Sequence, residues 1–196
     1  TVLPFHELCH GCGACSYVCP ENAITEVPKE IGTVESGIGK GVPFIHGTLH
    51  IGAAMAPPII REVKKLIDPG KTVVIDAPPG TSCPVISAMK DTDFCILVTE
   101  PTPFGLHDLK LAVAVVRKMK IPHGVVINRA TLGDSETEEY CEAEGVAVLM
   151  RIPFDKRIAK AYSKGTPIVD ELPELKEDFI RMKERIDAVV NTGGSV

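Results

Sequence analysis

Val73-Val74-Ile75-Asp76-Ala77-Pro78-Pro79-Gly80-Thr81 is the stretch that decides the fold. A continuous apolar run from 72 to 75, rather than an alternating one, reads as a strand buried on both faces of a parallel sheet. It ends in an acid and turns through Pro-Pro-Gly into a helical stretch at 84–90. An acid at the carboxyl end of such a strand is where an α/β nucleotide-binding sheet keeps the group that orients Mg²⁺ or an attacking water. Gly80 has no side chain, so its N–H can approach a terminal phosphate and respond when that phosphate leaves. The same residues also fit an ordinary strand–turn–helix in which Asp76 is a cap.

The pattern repeats downstream. Short apolar runs at 94–99, 124–127 and 146–150 read as further buried strands, with helical stretches between them at 104–119 and 135–144. Right-handed βαβ units require that alternation, so the fold class is α/β around a parallel sheet. A helix at 155–163 and an amphipathic one from 173 to 190 complete the chain. Upstream, 51–67 reads as a helix with Pro57 and Pro58 in its first turn. The glycine-rich 31–49 reads as a hairpin, 31–36 and 42–49 about a turn at 37–41. A short strand is expected at 23–27.

The chain opens on Cys9, Cys12, Cys15 and Cys19 followed by Pro20, a C-x2-C-x2-C-x3-C-P run. Thiolates at this spacing reach three corners of a 4Fe–4S cube, and the fourth ligates the other cluster in ferredoxins that carry two. Gly11 and Gly13 suit a loop wrapped tightly round a cluster. Zinc and a redox CxxC are the rival readings, but no second Cys/His pair follows at zinc spacing. A single cluster held by all four cysteines is the alternative to two, and Cys19 is awkwardly placed for it. Since the partner run that a two-cluster arrangement needs is not in the sequence, the expectation is that it lies upstream of Thr1.

Composition narrows the function classes. The 196 residues carry a net charge of −5 and no Trp, which weighs against nucleic-acid binding. Seven cysteines without a signal-peptide pattern, and no apolar run long enough to span a bilayer, lead us to expect a cytoplasmic protein without membrane insertion. Cys83, Cys95 and Cys141 read as structural thiols, and His46, His50, His107 and His123 share no metal spacing.

As an ordered set these segments resemble the MinD/Mrp superfamily of P-loop ATPases with an inserted ferredoxin domain. D-x-P-P-G-T at 76–81 is similar to that family's switch segment. The likeness extends through His46-Gly47, Gly52-Ala53-Ala54-Met55-Ala56-Pro57-Pro58, the 99–109 stretch opening Thr99-Glu100-Pro101-Thr102, Val125-Val126-Ile127-Asn128-Arg129, and Arg151-Ile152-Pro153-Phe154-Asp155. The resemblance implies a parallel-sheet ATPase core at 31–196 and the second half of a ferredoxin-type segment at 1–30. It implies Asp76 as the Mg²⁺/water acid and Gly80 as the γ-phosphate sensor. Asn128 would bond the adenine edge, an amide offering donor and acceptor together, with Pro153 and Phe154 beside the base. Asn128 as a loop cap and Pro153 as a strand end are the bland rivals.

One departure stands out. The family's phosphate loop, K-G-G-x-G-K-S/T, is not in the sequence; the Gly/Lys cluster Ser36-Gly37-Ile38-Gly39-Lys40-Gly41-Val42 lacks a following Ser or Thr and reads as a hairpin turn. The loop, like the first cysteine run, is expected upstream of Thr1. In MinD the C-terminal amphipathic helix is basic and binds membranes; here Leu175, Phe179, Met182, Ile186 and Val189 share a side while the charges are mixed, which favours packing on the sheet. The resulting expectation is an ATP- and Mg²⁺-dependent homodimer with two 4Fe–4S clusters, coupling hydrolysis to low-potential electron transfer toward a redox partner. The alternative is a carrier that delivers clusters to apoproteins, and a passive electron carrier is a third.

Overall fold

The computed structural model describes residues 5, 9, 11–53 and 55–192. Residues 1–4, 6–8 and 10 of the ferredoxin-type segment, and Ala54 of the family-like stretch, lie outside the described residues. The chain divides into two compact units, Thr1–Ala88 and Met89–Val196.

In the first unit, helix α1 (Ala14–Val18) sits within the cysteine run. Strands β1 (Gly32–Gly39) and β2 (Val42–Leu49) pair antiparallel, Gly32 opposite Leu49 and Gly39 opposite Val42. Lys40 and Gly41 both take positive φ, 48° and 81°, as a two-residue hairpin turn demands. The turn is narrower than the expected 37–41: Gly37, Ile38 and Gly39 stay in the β1 ladder and Lys40–Gly41 alone join the strands. Helix α2 (Pro57–Lys64) starts on proline and lays Ile59 and Val63 over Gly32 and Gly47, where any side chain would collide. Helix α3 (Cys83–Met89) follows, and Lys64 Nζ donates to the Ala88 carbonyl at 3.0 Å.

Three other expectations for this unit are corrected. Residues 72–78 form no strand and stand largely exposed. A strand exists only by pairing, and none of the described strands offers this run a ladder. Asp76 consequently lies in irregular chain rather than at the end of a sheet strand. Residues 23–27 likewise form no strand. The helix expected from 51 begins only at Pro57, because Gly52 turns the chain at φ 85° and proline tolerates only the first turn of a helix.

The second unit is a three-layer α/β domain. Strands β3 (Cys95–Thr99), β4 (His123–Ile127) and β5 (Val148–Arg151) form a parallel sheet in the order β3–β4–β5. Helix α4 (Pro103–Lys118) links the first two strands and α5 (Glu136–Ala143) the last two. Helices α6 (Lys156–Ser163), α7 (Ile168–Glu171) and α8 (Lys176–Thr192) follow, α8 entered through a 3-10 turn at Pro173–Leu175. Leu106, Leu109, Val113 and Val116 recur at helical spacing along the buried stripe of α4. Thr102 caps that helix, its Oγ1 accepting the Gly105 N–H at 3.0 Å, with proline next.

β4 is the centre. Val125 and Ile127 pack with Leu109, Val113, Cys141 and Val146 on one face, while Val126 packs with Leu149, Met150, Leu172 and Leu175 on the other. Burying each such Val or Ile contributes about 1.5–3 kcal/mol. Phe179, Met182 and Ile186 of α8 join the second cluster, so the C-terminal helix packs on the sheet as its mixed charge suggested. Arg185 of α8 reaches the Val148 and Leu149 carbonyls, both at 3.4 Å, and covers the outer edge of β5. At β3 the reverse holds: Ile96 and Val98 are exposed apolar side chains.

Candidate functional site

In the first unit, the cysteine run is bent by Gly11 and Gly13 in left-handed backbone, φ 59° and 74°, with Gly13 at the start of α1. Two backbone N–H groups point at thiol sulfurs: Gly11 N–H donates to Cys9 Sγ at 3.5 Å and Ala23 N–H to Cys19 Sγ at 3.3 Å. Cys9, Cys12 and Cys15 are exposed and Cys19 is half-buried, all as free thiols. Among the described residues no three such ligands are drawn together around one point. The donor set itself, thiols with N–H bonds to sulfur, is that of an iron–sulfur ligand loop, and the residues fit the cluster chemically. Asp76 and Gly80 also belong to this unit. Gly80 has φ 93° with open space where a side chain would sit, so it is the backbone angle and not crowding that calls for glycine there.

In the second unit the loops at the carboxyl ends of all three strands converge. Thr99 lies opposite Ile127, and Ile127 opposite Arg151, so Glu100, Asn128–Arg129 and Ile152–Phe154 leave adjacent strands at one level. Ligands of open α/β sheets bind outside these ends. Backbone bonds bind the loops together: Asn128 N–H to the Thr99 carbonyl at 2.7 Å, Ala130 N–H to the Ile152 carbonyl at 2.9 Å, and Ile152 N–H to the Ile127 carbonyl at 2.9 Å. The Phe154 N–H donates to Thr131 Oγ1 at 3.0 Å. Among the described residues no protein group hydrogen-bonds the Asn128 side-chain amide, which leaves its donors and acceptor available.

Arg129 follows Asn128 with φ 52°, a left-handed angle at a bulky non-glycine residue. Its Nε lies 3.4 Å from Glu100 Oε1, and the guanidinium carbon stands 6.0 Å from the Phe154 ring centroid. Phe154 and Arg129 are both about half exposed. Next door, Asp155 caps α6 by accepting the Arg157 N–H at 2.7 Å; the Arg157 guanidinium beside it holds its carboxyl below the usual range. Asn128, Pro153 and Phe154 are thus brought into one loop cluster, while Asp76 and Gly80 belong to the other unit. Glu100, Arg129 and Thr131 carried no role in the sequence reading. The usable signal was their placement directly after apolar strands that a parallel sheet makes neighbours.

A parallel α/β sheet with loops gathered at its carboxyl ends, in a chain that opens on a ferredoxin-like cysteine run, has the architecture of a nucleotide-binding α/β protein with an iron–sulfur segment. The chain belongs to the ParA family: residues 71–190 match the model described as NUBPL iron-transfer P-loop NTPase. Residues 4–25 match the 4Fe-4S binding domain. An uncharacterized protein of Methanocaldococcus jannaschii is 35% identical over 81% of this chain and 55% of its own length. The iron-sulfur cluster carrier protein of Aquifex aeolicus is 30% identical over 61% of this chain and 38% of its own. Among solved structures, the cell division ATPase MinD of Pyrococcus furiosus superposes with a TM-score of 0.57 at 28% identity, covering 71% of this chain and 60% of that one. The chain thus spans about half the length of curated relatives it matches. No helix among the described residues is long and apolar enough to cross a membrane.

Proposed function

We propose that this chain carries a 4Fe–4S cluster as cargo for apoprotein acceptors, in a nucleotide-responsive protein. The observation that carries the reading is the cysteine run, with Cys9, Cys12 and Cys15 exposed and Cys19 half-buried, within a chain of the iron-transfer NTPase family. Ligands open to solvent are ligands that an acceptor's thiolates can displace one at a time. The name of the Aquifex relative supports the same choice. The electron-transfer reading favoured by the ferredoxin-like spacing becomes the second one, since it needs the cluster to stay shielded in place.

In this proposal Asn128, Pro153 and Phe154 hold the adenine end of ATP or ADP. Asp76 holds Mg²⁺ or its water and Gly80 answers to the terminal phosphate. Bound ATP·Mg²⁺ supplies the free energy that biases the Asp76–Thr81 loop between two states. Residues 1–30 act as the cluster segment and 31–196 as the nucleotide-responsive core. The working form is a cytoplasmic homodimer, in a compartment reducing enough to keep thiols and cluster intact.

The test is anaerobic reconstitution with iron and sulfide, followed by incubation with an apo-ferredoxin. The acceptor should gain its cluster as this chain's absorbance falls. Cys12→Ser should lose both iron and transfer, while Cys141→Ser, a buried thiol, should keep both. A cluster retained against excess acceptor, yet reversibly reduced and oxidised, would return the function to electron transfer.

A further inference from the structure

Three arginines of the second unit meet beside one cavity that neither the loop cluster nor the cysteine run uses. The cavity, 240 Å³, lies between β5, the last strand of the sheet, and α8. Leu149, Met150, Arg151, Asp178, Arg181 and Arg185 line it. Asp178, Arg181 and Arg185 recur three and four positions apart, so α8 presents all of them on one face. Their charges do not balance. Glu138 holds Arg151 through Nε and Nη2 at 2.8 and 2.9 Å, and Asp178 holds Arg181 through Nη2. Arg185 has no carboxylate partner among the described residues; its Nη1 leans on the Val148 and Leu149 carbonyls, each at 3.4 Å. Three guanidiniums therefore face two carboxylates. Glu177 and Glu184 act on Arg181 from the flank of α8, but neither lines the cavity. Among the described residues Arg151 Nη1, the Nε and Nη1 of Arg181, and the Nε and Nη2 of Arg185 donate to no protein group.

We propose that this cavity binds a small oxyanion, the carboxylate or phosphate of a compact ligand, with Arg181 and Arg185 as its main donors and Arg151 completing the set. A guanidinium is the side chain suited to that task. Its planar fork matches two oxygens of a carboxylate or phosphate at once, and it gives up water more readily than an ammonium. Size limits the occupant. The cavity has the volume of about eight waters at about 30 Å³ each, and it falls below the range of about 300–1,000 Å³ that takes drug-sized ligands. Phosphate or a short dicarboxylate fits; a nucleotide does not. The two main donors have different parts. Arg185 is backed onto the carbonyls of β5, so its free N–H groups are held in place by the sheet. Arg181 is tied only to Asp178, three residues away on the same helix, and turns from that carboxylate to the ligand. Asp178 thus competes with the ligand for Arg181. Because these groups are solvent-exposed, added salt screens the attraction and weakens binding. The site requires neither nucleotide nor cluster, and it stands apart from the carrier reading.

The test is isothermal titration calorimetry of the full chain at low ionic strength, with inorganic phosphate in one arm and succinate in the other. At least one should bind saturably, and the tighter arm tells whether the ligand is a phosphate or a carboxylate. Arg181→Gln should weaken binding about 5–20-fold, the loss of a charge-assisted contact at a partly exposed site. This variant leaves the Arg185 contacts with β5 intact. Arg185→Lys keeps the charge without the planar fork and should weaken binding about 2–5-fold. Asp178→Asn should strengthen it about 2–5-fold, because the competing carboxylate is gone; a merely structural role for this face gives no such gain. Arg117→Gln is the control, an arginine paired with Glu144 at 2.6 Å that does not line the cavity, and should bind as the parent does. Equal affinity in the parent, Arg181→Gln and Arg185→Lys would place any bound anion elsewhere and overturn the proposal. Saturable binding of neither anion, by a chain whose circular dichroism is native, would overturn it as well.

Discussion

Gly133→Ala tests the backbone contact that holds the loop cluster together. A Cβ at Gly133 would lie 1.8 Å from the Pro101 carbonyl oxygen and 3.0 Å from its carbon, at a φ of 112°. Neither neighbour is the end of a flexible side chain: Pro101 is buried and lies between Glu100 and the Thr102 cap of α4. The unfavourable backbone angle costs about 1–3 kcal/mol. Moving the Pro101 peptide aside costs a similar amount, about 1–3 kcal/mol. The variant should thus lose about 2–6 kcal/mol, a large share of the 5–15 kcal/mol typical of a folded chain. Gly145→Ala is the matched control, since Gly145 also has positive φ, 64°, with nothing near the added atom. Its cost is the angle alone, about 1–2 kcal/mol. Urea unfolding followed by circular dichroism measures both, with equal slopes required for the comparison. If Gly133→Ala is no less stable than Gly145→Ala, the close approach of the two loops does not constrain the site, and the reasoning fails.

Two further outcomes check the core and its electrostatics. Ile127→Ala, at a fully buried position in the central strand, should cost about 2–5 kcal/mol, whereas Ile38→Ala at the exposed hairpin tip should stay within about 0.5 kcal/mol of the parent by the same urea assay. Arg151 binds Glu138 through two hydrogen bonds, 2.8 and 2.9 Å, and holds that carboxyl below its ordinary 4.5. A depressed carboxylate stabilises above its unfolded-state value and loses that contribution as pH falls through its folded one. Glu138→Gln should therefore be less stable than the parent near about pH 7, by no more than about 1 kcal/mol for so exposed a pair, and the difference should shrink as acid protonates the carboxylate below its ordinary 4.5. A difference that stays constant across that range counts against the ion pair.

Much of the second unit was legible in the chain. Continuous apolar runs at 94–99 and 124–127, the Thr102-Pro103 start of α4 and the helical spacing of Leu106, Leu109, Val113 and Val116 are local signals. They involve residues a few positions apart and need nothing distant to be read. The hairpin turn at Lys40–Gly41 was legible for the same reason, since Gly41 takes the positive φ a turn needs at no steric cost. The cysteine run declared its iron–sulfur chemistry through spacing alone, and its match to the 4Fe-4S binding domain agrees.

The stretch 72–75 had the composition of a buried strand and still did not become one, because a strand's hydrogen bonds are made by a neighbour that composition cannot supply. The same holds for the loop cluster. Glu100, Arg129 and Phe154 are up to 54 positions apart in number and meet only because three parallel strands end at one level. Sequence could name Asn128, Pro153 and Phe154 as a candidate set by resemblance. That Arg129 stands over Phe154, tied to Glu100 and seated on a left-handed backbone, was decided by strand register and by the backbone bonds between loops. Those are long-range terms, fixed only when the whole sheet is paired.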